Sequence, residues 1–186
     1  MAGPGMSGPG RVETPATAPR TGPLGRVAAL ASAVGTAWIL VMMVLVNADV
    51  LGRAAFAAPL RGVPEFVGLS IVGIVFLQAG HALASGRFTR SDALLDRLAA
   101  ARPRAAAALD VVHHLAGAAF FAILAWALWP RLLRAIEAGD YVGAAGDFTL
   151  PVWPIRALMI AGSVLVIGLY LILAAAAARR AAGGRS

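Results

Sequence analysis

Four long stretches of the chain are almost wholly apolar, and each is bounded by arginine, proline or acidic residues. They run from 27 to 46, 66 to 84, 105 to 129 and 152 to 178. A helix rises 1.5 Å per residue, so about 20 residues cross the roughly 30 Å hydrocarbon core of a bilayer. Inside lipid every backbone N–H and C=O must be satisfied within the structure, which makes a helix the natural form of such a run. The pattern predicts an all-α integral membrane protein with four transmembrane helices and no internal repeat.

The flanks divide the rest. Residues 1–22 are rich in Gly, Pro, Ala and Thr without an apolar period, and read as a disordered N-terminal tail. Residues 23–180 then form the four-helix membrane domain, and 181–186 a C-terminal tail. A cleaved signal peptide is the competing reading of the first run. Its apolar region would be about 7–15 residues, and this run is longer. The small residues Ala55 and Ala57, which could mimic a cleavage site, lie well past it. A retained first span follows.

Composition sharpens the class. Hydrophobic residues make up 60% of the 186 and charged residues 13%, against roughly 45–50% and 25% in soluble domains. Mean hydropathy is +0.79. A soluble enzyme of this length could not bury so much apolar surface, and a disordered chain would not carry it. The net charge is +7. In a chain this apolar, basic loops on the cytoplasmic face of a membrane explain it better than nucleic acid. There is no Cys, which excludes disulfides, thiolate metal sites and Cys nucleophiles.

All 16 basic residues are Arg, and their placement gives an orientation. Arg11, Arg20 and Arg26 precede the first span. Arg87, Arg90, Arg97, Arg102 and Arg104 lie between the second and third, and Arg179, Arg180 and Arg185 follow the fourth. Those eleven share one side; Arg53, Arg61, Arg131, Arg134 and Arg156 share the other. The positive-inside rule puts both termini in the cytoplasm. Trp126, Trp129 and Trp153 would then mark the outer interface, where indole is favoured.

The loops carry their own signals. Residues 91–100 (SDALLDRLAA) place Leu94, Leu95 and Leu98 on one face and predict a short amphipathic helix on the inner surface. The third apolar run stops at Pro130. Residues 131–150 read as a turn of helix plus loop, with Pro151 and Pro154 framing the start of helix 4.

Polar residues inside the spans are few: Ser70, Gln78 and His81 in helix 2, Asp110, His113 and His114 in helix 3, Ser163 and Tyr170 in helix 4. Secondary transporters build their sites from broken helices in repeated halves. No span here has a central Pro, so a stand-alone transport site is disfavoured. His81 facing His113 or His114 could ligate a haem. The plainer reading is interfacial hydrogen bonding, with Asp110 and His114 paired four apart. No span pairs a nucleophile with a base, and H-E-x-x-H is absent. No catalytic, cofactor-binding or metal residue is therefore assigned.

Small residues suggest helix packing: Ala29, Ala33 and Ala37 in helix 1, Gly68, Gly73 and Gly80 in helix 2, Gly162 and Gly168 in helix 4. The hairpin between helices 1 and 2 carries the densest polar pattern: Asn47, Asp49, Arg53, Arg61 and Glu65. Asp49 and Arg53 can pair four apart, and Glu65 suits a helix N-terminus. Ordinary surface charges are the plain reading, and a platform for a periplasmic partner is the functional one.

Three stretches give a resemblance. NADVLGR (47–53), with Pro59, Gly62 and PEF (64–66), resembles the first hairpin of the small, DctQ-type membrane subunit of tripartite ATP-independent periplasmic (TRAP) transporters. LQAGHALASGRFTRSDALLDRL (77–98) resembles that family's helix 2 end and inner loop, where Asp92 matches, although Phe88 stands where the family often has His. FTLPVWPIRALMIAG (148–162) is similar to the start of its fourth helix. The resemblance implies a scaffold subunit of an importer driven by an ion gradient, usually sodium. It would brace a large multi-span subunit that moves organic acids, and help to dock a soluble periplasmic binding protein. The alternative is a haem-bearing membrane anchor of a respiratory complex.

Overall fold

The computed structural model describes residues 22–86, 103–144 and 148–183. Four helices carry it: α1 (Gly22–Phe56), α2 (Val63–Ala84), α3 (Pro103–Ala138) and α4 (Trp153–Gly183). A two-stranded hairpin, β1 (Tyr141–Ala144) and β2 (Phe148–Pro151), joins α3 to α4. All four helices are long and apolar enough to cross a membrane. The amphipathic helix expected at 91–100, the N-terminal tail to residue 21 and the last three residues lie outside the described residues.

All four helices outrun their apolar stretches, two of them by ten residues or more. At 1.5 Å per residue, α1 with 35 residues and α3 with 36 are each more than about 50 Å long, well over the hydrocarbon thickness. Both continue past their apolar stretches at the end that bears the two tight connections, here termed the hairpin end. The opposite, terminal end carries the starts of α1 and α3 and the close of α4.

α3 also corrects the expectation at Pro130. The apolar run stops there, but the helix continues through it to Ala138. Proline removes one intrahelical N–H and leaves the Trp126 carbonyl without its usual donor. At the headgroup level water can satisfy that carbonyl. Residues 131–138 (RLLRAIEA) are mostly strong helix formers and carry the helix on. It ends at Gly139, whose φ of 65° is left-handed. The Asp140 N–H bonds to the Ala135 carbonyl at 3.1 Å, the six-residue closure of a Schellman cap. The loop expected after it is a β-hairpin, in the antiparallel register Tyr141↔Pro151, Val142↔Leu150 and Gly143↔Thr149.

α4 is the central element. It packs along α3 and α2, α2 packs along α1, and α1 reaches α4 more lightly. The array has α1 and α3 at its margins. Its core gathers Ala28, Leu83, Ala84, Ala118, Val166, Leu169, Tyr170 and Leu173.

Close approach at glycine sets these interfaces. A Cβ at Gly162 would fall 2.9 Å from the Phe76 carbonyl, so α2 and α4 nearly touch by backbone there. Gly73 lies under Leu158 and Gly80 under Leu165, both steps being seven residues. On α1 the buried positions are Ala28, Gly35, Met42 and Asp49, again seven apart. Such spacing is the seam of helices that cross at about 20°.

Candidate functional site

Of the polar residues of the first hairpin, Asp49 and Arg53 come together. α1 ends at Phe56, and Ala57 turns the chain with φ 49°. A non-glycine residue in that region costs roughly 1–2 kcal/mol, so other bonds must hold the turn. The Ala58 N–H reaches the Gly52 carbonyl at 3.1 Å. The Asp49 carboxylate accepts the Leu60 N–H at 2.8 Å and is gripped by Arg53 through Nε at 3.0 Å and a terminal nitrogen at 2.7 Å. Asp49 is buried while Arg53 is about half exposed. The pair is thus an internal staple of the first hairpin, with the Arg53 side chain on its surface.

The other predicted residues separate. Asn47 donates from its amide to the Met43 carbonyl of its own helix at 2.7 Å. Arg61 is exposed in the turn before α2. Glu65 sits half-buried in the first turn of α2, beside Pro64, where its charge faces the positive end of the helix dipole. Asp92 lies outside the described residues.

The second connection meets the first. Gly62 has φ 77° and is covered by the Phe148 ring from β2; a Cβ there would overlap that ring. The hairpin end is therefore one continuous layer. Arg156 ties its far side together: its guanidinium donates to the Asp140 carboxylate at 3.0 Å and to the Arg131 carbonyl at 2.8 Å. The Val152 N–H completes the closure on the Asp140 carbonyl at 3.1 Å.

Several polar groups within the spans bond to the chain's own helices. Trp38 Nε1–H donates to Ser70 Oγ at 3.1 Å and links α1 to α2. Ser163 donates to the Met159 carbonyl at 2.8 Å. His114 Nδ1 lies 2.8 Å from the Asp110 carbonyl, an acceptor only, so that nitrogen carries the proton. The expected Asp110–His114 pairing is therefore chiefly through the backbone, with the carboxylate at 3.5 Å. The Asp110 carboxylate is 3.0 Å from Arg180 and joins α3 to α4. The His114 ring stands edge-on to Tyr170, with centroids 6.1 Å apart. The fold thus uses the buried histidine of the 113–114 pair as a packing group. Among the described residues no cluster of His, Asp and Glu could hold a metal ion. The Trp38–Ser70 link escaped the sequence reading, because neither residue belongs to a motif.

What remains open is surface. Opposite the seam of α1, Ala29, Ala33, Ala37, Leu40 and Val44 form an exposed stripe. On a neighbouring flank an apolar groove of about 360 Å³ runs between α1 and α2, lined by Ile39, Met42, Met43, Val46, Ile71 and Ile74.

The model of one protein family matches residues 42–182, more than half of the chain. Its description is "Tripartite ATP-independent periplasmic transporters, DctQ component". Comparison with curated proteins and with solved structures found no match.

Proposed function

This chain belongs to the DctQ component of the tripartite ATP-independent periplasmic transporters, and we propose that it is the small membrane scaffold of such an importer. It braces the large transport subunit rather than carrying cargo itself. Its termini face the cytoplasm, as the arginine count indicates, and its hairpin end faces the periplasm. There the Asp49-stapled hairpin, with Arg53, Arg61 and Glu65, helps to dock the soluble binding protein. The imported substrate is an organic acid and the driving force is an ion gradient, usually of sodium.

One observation carries the reading. The α1 stripe of Ala29, Ala33 and Ala37 is left uncovered, although helix backbones approach most closely at small residues. The buried seam of the same helix already satisfies its packing within the chain. A helix with a second small-residue face is suited to a second helical partner. Asp49, Ser70, His114 and Ser163 are the buried polar side chains among the described residues, and each is engaged within the chain. A moving transport domain needs a fixed frame, and this arrangement supplies one.

Extraction of the tagged chain from its native membrane in mild detergent tests the proposal. A large multi-span protein should be recovered in near-equal amount. Recovery of the chain alone, or with redox subunits and a haem absorption band, would overturn it.

A further inference from the structure

At the hairpin end Arg131, Arg134, Asp140 and Arg156 line an open cleft of about 290 Å³. Three guanidinium groups face one carboxylate there, so the lining carries an excess of two positive charges. Asp140 is already engaged by Arg156 at 3.0 Å. The Arg131 guanidinium has no hydrogen-bond or ion-pair partner among the described residues, and Arg134 makes only a long 3.4 Å bond to the Pro130 carbonyl. Uncompensated guanidinium groups in one cleft are a receptor for an oxyanion, which they bind in paired, charge-assisted hydrogen bonds.

The depth of the cleft selects the anion. Trp126 and Trp129 of α3 and Trp153 of α4 are exposed at the neighbouring levels of these two helices, and exposed indoles mark the headgroup level of a bilayer. Arg131 is two residues past Trp129, about 3 Å along the helix, and Arg156 is three residues inward of Trp153, about 4.5 Å. The arginines therefore straddle the indole level. In a bilayer the phosphates of phospholipids lie at that level. Exposed Phe120 and Ile123 lie inward of it on α3, beside which acyl chains can run.

We propose that this cleft binds the phosphate group of a phospholipid headgroup, with preference for an anionic lipid. The bound lipid joins α3 to α4 at the point where Pro130 leaves α3 one bond short. This site is separate from the Asp49 hairpin and does not depend on which partner α1 meets.

The test uses the full chain in detergent, titrated with phosphatidylglycerol and followed by native mass spectrometry and thermal unfolding. The wild type should retain the lipid and melt at a higher temperature with it, and diacylglycerol, which lacks phosphate, should do neither. Arg131→Gln with Arg134→Gln should weaken phosphatidylglycerol binding by about tenfold or more, the size expected for losing charged hydrogen bonds. Arg131→Lys with Arg134→Lys keeps the charge and should recover most of it; circular dichroism checks that each variant is folded. Unchanged lipid binding in the glutamine variant overturns the proposal. So does displacement of the lipid by an equal concentration of inorganic phosphate, which would make this a site for soluble anions. If the glutamine variant keeps its lipid but loses a co-purifying protein, the cleft docks a protein instead, and the proposal also fails.

Discussion

The Phe148 ring of β2 covers Gly62, the residue that starts α2, where no side chain could be added without overlap. Two connections far apart in sequence, 86 residues from Gly62 to Phe148, thereby become one layer at the hairpin end. The glycine is needed twice over, for its φ of 77° and for its missing Cβ. Gly62→Ala should therefore cost more than backbone strain alone, which is about 1–2 kcal/mol. In a Phe148→Ala background the same substitution should cost only the strain. A double-mutant cycle by thermal unfolding measures the difference; equal costs in both backgrounds would show that the ring contact is unimportant.

Asp49 holds the first hairpin through both Arg53 and the Leu60 N–H. Asp49→Ala should lower the melting temperature most. Asp49→Asn, which can still accept from Leu60, should fall between it and the wild type, and Arg53→Gln should lower it least because Arg53 is half exposed. The reverse order would assign the staple to the arginine.

Glycines of α2 and α4 should respond oppositely. A Cβ at Gly68 would meet nothing within 4 Å, so Gly68→Ala should raise stability by about 0.5–1 kcal/mol through helix propensity. A Cβ at Gly162 would press on the Phe76 carbonyl. Gly162→Leu should separate α2 from α4 and abolish a sharp melting transition. Comparable melting of both variants would contradict the close backbone approach.

The α1 stripe offers a test of assembly apart from folding. Ala33→Leu adds bulk to an exposed face and should leave the isolated chain's melting unchanged while reducing recovery of the large subunit. Gly35→Leu, on the buried seam against Leu77 and Gln78, should destabilise the chain itself. If Ala33→Leu leaves the stoichiometry of the extracted complex intact, the stripe faces lipid.

Charge reversal at Arg53 or Glu65 should weaken substrate uptake by whole cells if the hairpin docks the binding protein. Arg53→Glu also breaks the staple, so Glu65→Arg is the cleaner variant. Normal uptake with normal membrane levels of Glu65→Arg would remove the docking role.

The number and approximate place of the spans were legible because length and apolarity alone decide whether a segment can enter lipid. The polar hairpin was legible as a cluster, and the four-residue spacing of Asp49 and Arg53 gave their pairing. The bond from Asp49 to the Leu60 N–H was not, since it depends on the left-handed turn at Ala57. The passage of α3 through Pro130 escaped because the rule that proline ends a helix assumes a buried carbonyl left unpaired. The hairpin at 141–151 escaped because four-residue strands give too short an alternation to read.

The sequence by itself determined that this chain has four segments long and apolar enough to cross a membrane and bears a family pattern in its hairpins and loops. Only the tertiary structure decided which faces meet. A helix that is apolar all round carries no period that tells inside from outside, so Ala28 and Ala29 are equivalent in sequence. Close packing at Gly35, Gly73, Gly80 and Gly162 breaks that equivalence, because helices in lipid are held by close contact rather than by expulsion of water. The cleft of Arg131, Arg134 and Arg156 likewise exists only after α3 and α4 are laid side by side.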